Sequence, residues 1–168
     1  MPTPIRITLD TAQLALAQRE GRARNTAATA RGAKSNGPAG DFQRQHILGA
    51  IGEIAFATWS GLPWVASRGA DYDDTTADVG NCEVRTRRTS SDRNMTVKLS
   101  AIDKYKPSRI YVLTWAHEKS RLVQLVGYTT LGTIFEYGQR NDRLNAMVLP
   151  WQDLVDLRSL YAREPQHR

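Results

Sequence analysis

A nearly continuous run of large apolar residues, Ile-Tyr-Val-Leu-Thr-Trp, occupies positions 110–115. An alternating pattern is typical of a strand with one wet face, whereas an unbroken apolar run is typical of a strand buried on both faces. We therefore expect this run to lie at the centre of a β-sheet. Other parts of the chain must then cover that sheet on its two sides.

Weaker strand patterns lie on either side of this run in the sequence. We predict strands at 81–87, 95–99 and 122–129, and an edge strand at 146–149. Apolar residues at helical spacing predict helices at 41–60, 131–137 and 151–161. Ser100 and Asp103 indicate a capping box for one further short helix, which Pro107 ends. This order predicts an α/β protein, a single domain with a central mixed β-sheet flanked by helices.

The first 40 residues have a different character. Asp10 and Gln13 form a capping-box pattern that opens a helix, and its alanine-rich sequence leaves only a thin apolar face. Arginines recur along this helix, which fades into a segment rich in glycine that we expect to be a mobile loop over 32–40. We divide the 168 residues into a basic N-terminal helix and loop (1–40), a core (41–162) and a tail (163–168), all in one domain.

The segment 77–86, Ala-Asp-Val-Gly-Asn-Cys-Glu-Val-Arg-Thr, combines acidic residues with strand alternation. Glu83 and Arg85 share one face of the predicted strand, about 7 Å apart, while Val84 points the other way into a core. Asp78 lies just upstream, before a break that contains glycine. Two carboxylates beside a fixed cation can hold a hard divalent metal such as Mg²⁺ together with a phosphate. An exposed strand face with a weak ion pair is the alternative interpretation.

A third acidic residue, Glu53, falls on the apolar second helix. Its neighbours three and four residues away are apolar and mostly small, namely Gly49, Ala50, Phe56 and Ala57. Each mid-helix glycine weakens a helix by about 1 kcal/mol relative to alanine, which is tolerated where the backbone must approach another part of the protein closely. We therefore expect Glu53 to lie against the sheet. The alternative is a solvated surface glutamate.

The positive charge is concentrated directly after Glu83. The net charge of the chain is +6, and the window 84–109 alone carries the same excess. Its basic residues are Arg85, Arg87, Arg88, Arg93, Lys98, Lys104, Lys106 and Arg109. A polyanion such as nucleic acid is the natural partner for this density of cations. A basic surface that only aids solubility is the alternative.

Several classes of protein are disfavoured by what the sequence lacks. The single cysteine, Cys82, excludes an intrachain disulfide framework and a cysteine-rich zinc site. His46, His117 and His167 are too far apart in sequence to form a metal-binding motif. No run approaches the roughly 18 apolar residues that a membrane span requires, and the N-terminus lacks the pattern of a signal peptide. We expect a cytoplasmic protein that has no membrane partner.

The order of Glu53, Asp78 and the strand Glu83-Val84-Arg85 resembles the PD-(D/E)XK nuclease superfamily. In that superfamily a helix glutamate precedes an aspartate, and a strand of the form acidic-x-lysine follows. The resemblance covers about 50–129, and the sequences Gly-Glu-Ile-Ala and Glu-Val-Arg-Thr are similar to its small phage-type members. The resemblance implies a restriction-endonuclease-like core with an added N-terminal helix. It also implies that the protein acts in a bacterial or phage-infected host cell.

The resemblance also implies roles for individual residues. Asp78 and Glu83 would ligate Mg²⁺ or Mn²⁺ with the carbonyl of Val84, and Glu53 would add a ligand or hold a metal-bound water. The sequence departs from the family at Arg85, where lysine is usual; arginine stays protonated and binds phosphate, but it cannot act as a base. Lys98, on the following strand, is the candidate for a displaced lysine.

Three classes of function follow from these residues. The first is a metal-dependent nuclease that hydrolyses phosphodiester bonds in DNA, with Arg87, Arg88, Arg93 and Lys98 around the site holding the nucleic acid. The second is a catalytically degenerate module that has the nuclease fold and binds nucleic acid without cutting it. The third is an assembly protein whose basic face meets a protein partner, and a homo-oligomer stays open as well.

Overall fold

The computed structural model describes residues 1–32, 41–66, 77–88, 93–117 and 119–161. Its strands are β1 (Ile5–Thr8), β2 (Cys82–Arg88), β3 (Met95–Lys98), β4 (Ile110–Ala116), β5 (Leu122–Thr130), β6 (Gln139–Asn141) and β7 (Ala146–Leu149). Its α-helices are α1 (Thr11–Ala30), α2 (Asp41–Ser60), α3 (Ala101–Lys104), α4 (Leu131–Tyr137) and α5 (Arg158–Tyr161). The predicted loop at 32–40 falls almost wholly outside the described residues, as do the segment 67–76 and the tail.

The larger sheet has four strands in the order β1-β5-β4-β2. The pair β2–β4 is parallel and the other two pairs are antiparallel, so the sheet is mixed as predicted. Strand β4 lies in the interior of the sheet, and its residues from Tyr111 to Ala116 are buried, which confirms the expectation from its apolar run. Strand β2, which carries Glu83 and Arg85, forms one edge of this sheet. That edge position lets residues from both faces of the sheet meet around β2.

A second, three-stranded sheet has the order β3-β7-β6. The prediction of an edge strand at 146–149 is therefore wrong in its position, because β7 is the central strand and pairs with β3 and β6. The expected strand at 95–99 is present as β3 but belongs to this second sheet. A strand pattern alone does not indicate which sheet the strand joins, since the pairing is decided by contacts distant in sequence.

The two faces of the larger sheet are covered differently. Helices α1 and α2 pack on one face, where Ile51, Phe56 and Val84 belong to one buried cluster. The other face packs against the second sheet and α4, where Tyr111, Val97 and Ile134 belong to another cluster. The predicted mixed α/β fold is confirmed, and only one of the two faces is covered mainly by helices.

The helix predictions agree with the structure at the N-terminal side of the chain. The capping box is present, because the Asp10 carboxylate accepts from the Gln13 backbone N–H at 2.7 Å and the Gln13 amide accepts from the Asp10 N–H at 2.9 Å. Helix α2 has the predicted bounds, with Asp41 as its first residue. The sequence analysis did not identify β1, a four-residue strand that pairs with β5.

The predicted helix at 151–161 is wrong. A single turn of 3₁₀-helix at Trp151–Asp153 is followed by an extended residue, Val155, which pairs with Tyr128 of β5, and only Arg158–Tyr161 is α-helical. The apolar residues at helical spacing, Leu154 and Leu157, are buried all the same. The predicted cap on α3 is also wrong, since the Ser100 side chain makes no capping hydrogen bond and the helix ends at Lys104, before Pro107.

In the part of the chain that the structure describes, none of the helices combines the length and the apolar character needed to cross a bilayer.

Candidate functional site

A cleft of about 510 Å³ lies where α2 meets the free edge of β2. We call it the edge cleft. Its lining residues are Arg24, Asp41, Gln45, His46, Leu48, Gly49, Glu53, Asp78, Val84, Arg85, Thr86, Arg87 and Arg88. Most of the residues that the sequence analysis assigned to a metal site or to nucleic-acid binding therefore meet at one place. The exceptions are Glu83, Arg93 and Lys98.

Glu53 lies at the inner wall of the edge cleft and is only 4% exposed. Its carboxylate accepts two hydrogen bonds from Arg24 of α1, Nη1 to Oε1 at 2.6 Å and Nη2 to Oε2 at 2.7 Å. The Trp64 indole N–H donates to Oε2 at 3.0 Å. Glu53 is thus buried as expected, although its partners are α1 and the segment after α2 rather than the sheet. A buried carboxylate in this position requires such a paired cation.

Arg24 is a residue of this site that the sequence analysis did not single out. Its Nε donates to Glu20 at 3.0 Å while its two Nη groups hold Glu53, so one guanidinium joins two helices. Burial by itself lowers the pKa of Arg24, but the hydrogen bonds and charges of Glu53 and Glu20 more than compensate and raise it. The recurring arginines of α1 were the sequence signal that could have indicated this residue. The sequence does not indicate which of these arginines points toward Glu53.

Asp78 faces the edge cleft from the turn before β2. Its Oδ2 accepts the backbone N–H of Val84 at 2.8 Å. Burial raises the pKa of Asp78, the charges of Glu53 and Glu83 raise it further, and the pKa reaches about 7 although Arg85 and the Val84 N–H act in the opposite direction. The charges of Glu53 and Glu83 thus both oppose the ionisation of the buried Asp78 carboxyl group, which loses its proton only near neutral pH.

Glu83 points to the opposite face of β2. Because side chains alternate along a strand, Val84 packs into the cluster with α2, while Glu83 lies opposite Tyr111 on the other side of the sheet. The Glu83 Oε1 lies 2.9 Å from Nη2 of Arg109 and accepts a hydrogen bond from Nε of the same residue at 3.1 Å. The Glu83 Oε2 accepts a hydrogen bond from Nη2 of Arg85 at 3.4 Å. The expectation that the Glu83 carboxylate lines the same concavity as Glu53 is not met.

The backbone of Val84 is directed toward the open edge of β2. In a strand the N–H and C=O of one residue leave the chain on the same side, and the N–H of Val84 is bonded to Asp78 rather than to β4. The Val84 carbonyl therefore also faces the side of Asp78. One carboxylate and one carbonyl oxygen are thus available at the same edge, and both are donors suited to a hard cation.

The basic residues predicted around the site divide into two groups. Arg87 and Arg88 line the edge cleft, and Arg88 forms an ion pair with Asp41 at 3.2 Å. Arg93 lies over the Trp115 ring, 5.1 Å from its centroid, on the other face of the sheet. Lys98 belongs to the second sheet and donates to the Leu144 carbonyl at 3.2 Å. The last two residues are not part of the cleft lining.

His46 is a second residue of the cleft that sequence reasoning missed. It lies seven residues, about two helical turns, before Glu53 and therefore on the same face of α2. Burial lowers the pKa of His46 and the charge of Arg24 lowers it further, although the charge of Glu53 acts in the opposite direction. Its Nε2 is buried and has no hydrogen-bond partner among the described residues. Its spacing to Glu53 was the signal that could have identified it.

A divalent metal fits part of this arrangement. Among the described residues no group of three or more His, Cys, Asp or Glu side chains is placed to hold a metal ion. Asp78 and the Val84 carbonyl supply oxygen donors of the right kind, and Mg²⁺ usually needs only one or two carboxylates beside waters and substrate phosphates. Glu53 and Glu83 are engaged by arginines in the arrangement described here.

Compared with family models, with curated proteins and with solved structures, the chain matches none of them.

Proposed function

We propose that the protein is a metal-dependent nuclease that hydrolyses phosphodiester bonds in DNA, with a restriction-endonuclease-like core. The observation that carries the proposal is the edge cleft itself, where the carboxylates of Glu53 and Asp78 and the backbone of Val84 meet several arginines. Carboxylate and carbonyl oxygens are the ligands that Mg²⁺ prefers, and such a metal is usually held together with a substrate phosphate. The basic residues that follow Glu83 supply the attraction for a polyanion.

In this proposal Asp78 and the Val84 carbonyl would hold Mg²⁺ or Mn²⁺, and Glu83 or Glu53 would supply a further carboxylate. The bound metal supplies a water of lowered pKa and neutralises negative charge that develops on the phosphate. Arg85 lines the cleft while its guanidinium lies beside Glu83 at the edge of β2, and this planar group would bind the phosphate. Because Arg85 does not lose its proton, it positions the phosphate and leaves proton transfer to other groups.

The decisive experiment is a cleavage assay with Asp78→Asn. Asparagine keeps an oxygen that can accept the Val84 N–H, so the turn is preserved while the charge is removed. We expect wild type to cut at least one of single-stranded, duplex or branched DNA in Mg²⁺ or Mn²⁺, and EDTA to abolish the cutting. Asp78→Asn should lose activity by at least about a hundredfold.

The matched control is Asp41→Asn, which removes a carboxylate from the same cleft but from the end near Arg88. It should cut at close to the wild-type rate. Glu83→Gln is a less direct test, because it also removes the buried carboxylate that pairs with Arg109. A thermal unfolding measurement must therefore show that this variant is folded. Equal cleavage by wild type and Asp78→Asn would place the activity elsewhere or in a contaminant.

The second candidate is a catalytically degenerate module that binds nucleic acid. The pairing of Glu53 with Arg24 and of Glu83 with Arg109 favours it, because both carboxylates already have cationic partners. The same assay separates the two candidates. If the protein binds DNA tightly but does not cleave it in the presence of any divalent metal, the result would support the binding module and contradict the nuclease.

A further inference from the structure

A second cavity, of about 320 Å³, lies on the face of β2 opposite the edge cleft. We call it the basic cavity. Its lining residues are Arg85, Arg87, Thr96, Val97, Lys98, Ser100, Ala101, Lys104 and Tyr105. It is bounded by β2 on one side and by β3 and α3 on the other. Arg85 and Arg87 line both cavities, so the two spaces adjoin across the edge of β2.

The two cavities differ sharply in charge. In the edge cleft the cations face the carboxylates of Asp41, Glu53 and Asp78. The basic cavity has four cationic side chains, and none of the described residues that line it is acidic. Charges of one sign in a confined space reinforce one another's potential, so an anion is attracted more strongly here than in the edge cleft.

Glu83 lies close to the basic cavity but is not one of its lining residues. Its carboxylate is 2.9 Å from Arg109, which does not line the cavity, and 3.4 Å from Arg85. Arg109 is the nearer and better buried partner, with 19% of its side chain exposed against 37% for Arg85. One carboxylate therefore faces two guanidinium groups.

We propose that the basic cavity is a binding site for backbone phosphates of nucleic acid, so that the strand crosses the edge of β2 from the basic cavity into the edge cleft. Arg85 and Arg87 lie two residues apart, about 7 Å along the strand, and can contact neighbouring phosphates of one chain. Lys98, Lys104 and the hydroxyls of Thr96 and Ser100 complete the contacts. This site deepens the proposed function, on which it rests for the identity of the polyanion.

The test is the affinity of the double variant Lys98→Gln/Lys104→Gln for a short oligonucleotide, single-stranded and as a duplex. Both lysines are exposed, and neither lines the edge cleft. Binding is measured in EDTA, so the result does not depend on cleavage. We expect a several-fold loss of affinity at physiological salt, and a plot of log affinity against log salt that is flatter by about two, since each phosphate contact contributes about one.

The control is Arg6→Gln/Lys119→Gln, which removes the same charge from exposed positions away from both cavities. It should bind almost as wild type does. Amide chemical shifts in a titration with the oligonucleotide should move at Lys98, Lys104 and Tyr105, and inorganic phosphate should move the same signals at higher concentration. Thermal unfolding confirms that both variants are folded.

Three outcomes would overturn the site. Equal losses in the two double variants would indicate a general effect of net charge. Unchanged affinity in Lys98→Gln/Lys104→Gln would show that the cavity is not used. Equally tight binding of polyglutamate would indicate an acidic protein partner. Cleavage that fails while this binding persists would contradict the nuclease proposal and leave the phosphate site standing.

Discussion

The ionised Asp78 carboxylate destabilises the native protein, although the proposed chemistry requires it. Its pKa lies near 3.8 in an unfolded chain and near 7 in the native protein, mainly because the carboxylate is buried beside Glu53 and Glu83. Between these two pH values the native state holds a proton that the unfolded state releases. The free energy of unfolding therefore falls as pH rises from about 4 to about 7. The stability that the bound proton contributes is lost above pH 7.

We predict that Asp78→Asn is more stable than wild type above pH 7 when divalent metal is absent. The gain should be on the order of 2 kcal/mol, because one pKa unit corresponds to about 1.4 kcal/mol and solvent near the half-buried carboxylate reduces the full figure. At pH 4 the two proteins should be nearly equal. Urea unfolding in EDTA across this pH range measures the difference. A stability gap that does not change with pH would contradict the explanation.

At the scale of elements, the contact between α2 and the sheet depends on two glycines with different surroundings. A Cβ at Gly52 would collide with the hydroxyl oxygens of Thr86 and Thr114, which are joined by a 3.0 Å hydrogen bond from Thr114 to Thr86. A Cβ at Gly49 would have only the Glu53 carboxylate near it, at 3.9 Å. The close approach of α2 that places Glu53 beside the edge of β2 therefore requires glycine at position 52.

We predict opposite effects for alanine at these two positions of one helix. Gly52→Ala should lower the free energy of unfolding by about 2 kcal/mol or more, because the two hydroxyls could make room only by giving up their hydrogen bond in a tightly packed interface. Gly49→Ala should be neutral or stabilising by up to about 1 kcal/mol, the gain in helix propensity. Chemical denaturation of both variants measures this. Similar losses in the two would show that helix backbone flexibility, rather than the approach to the sheet, is what matters.

At the scale of the whole molecule, the net charge of +6 is unevenly distributed. Cations line both sides of the β2 edge, and none of the described residues that line the basic cavity is acidic. The long-range attraction for a polyanion should therefore arise mainly from Arg85, Arg87, Lys98 and Lys104. These four side chains set an upper limit on the number of phosphates that the protein can neutralise around β2.

We predict that wild-type affinity for duplex DNA falls steeply with salt. Four phosphate contacts give a slope of about −3.6 in log affinity against log salt, since each contributes about −0.9 through release of counterions. Fluorescence anisotropy from low to physiological salt measures the slope. Binding that does not change with salt would contradict a nucleic-acid partner and favour the protein-assembly class.

Much of the fold was predictable because it depends on local pattern. The apolar run at 110–115 indicated the interior strand β4, and the capping pair Asp10 and Gln13 indicated the start of α1. The bounds of α2 and α4 followed from helical spacing and terminal residues. The helix predicted at 151–161 failed because Val155 pairs with Tyr128, a contact that lies far away in sequence.

The sequence by itself determined the elements and the short-range order of the site residues, since alternation and helical periodicity are properties of neighbouring positions. It also determined that Glu83 and Val84 lie on opposite faces of one strand. Only the tertiary structure decided that β2 is an edge, that Glu53 pairs with Arg24 and that Arg109 holds Glu83. These pairings join residues 26 or 29 positions apart, and the packing of helices on the sheet, rather than any local preference, selects which arginine meets each carboxylate.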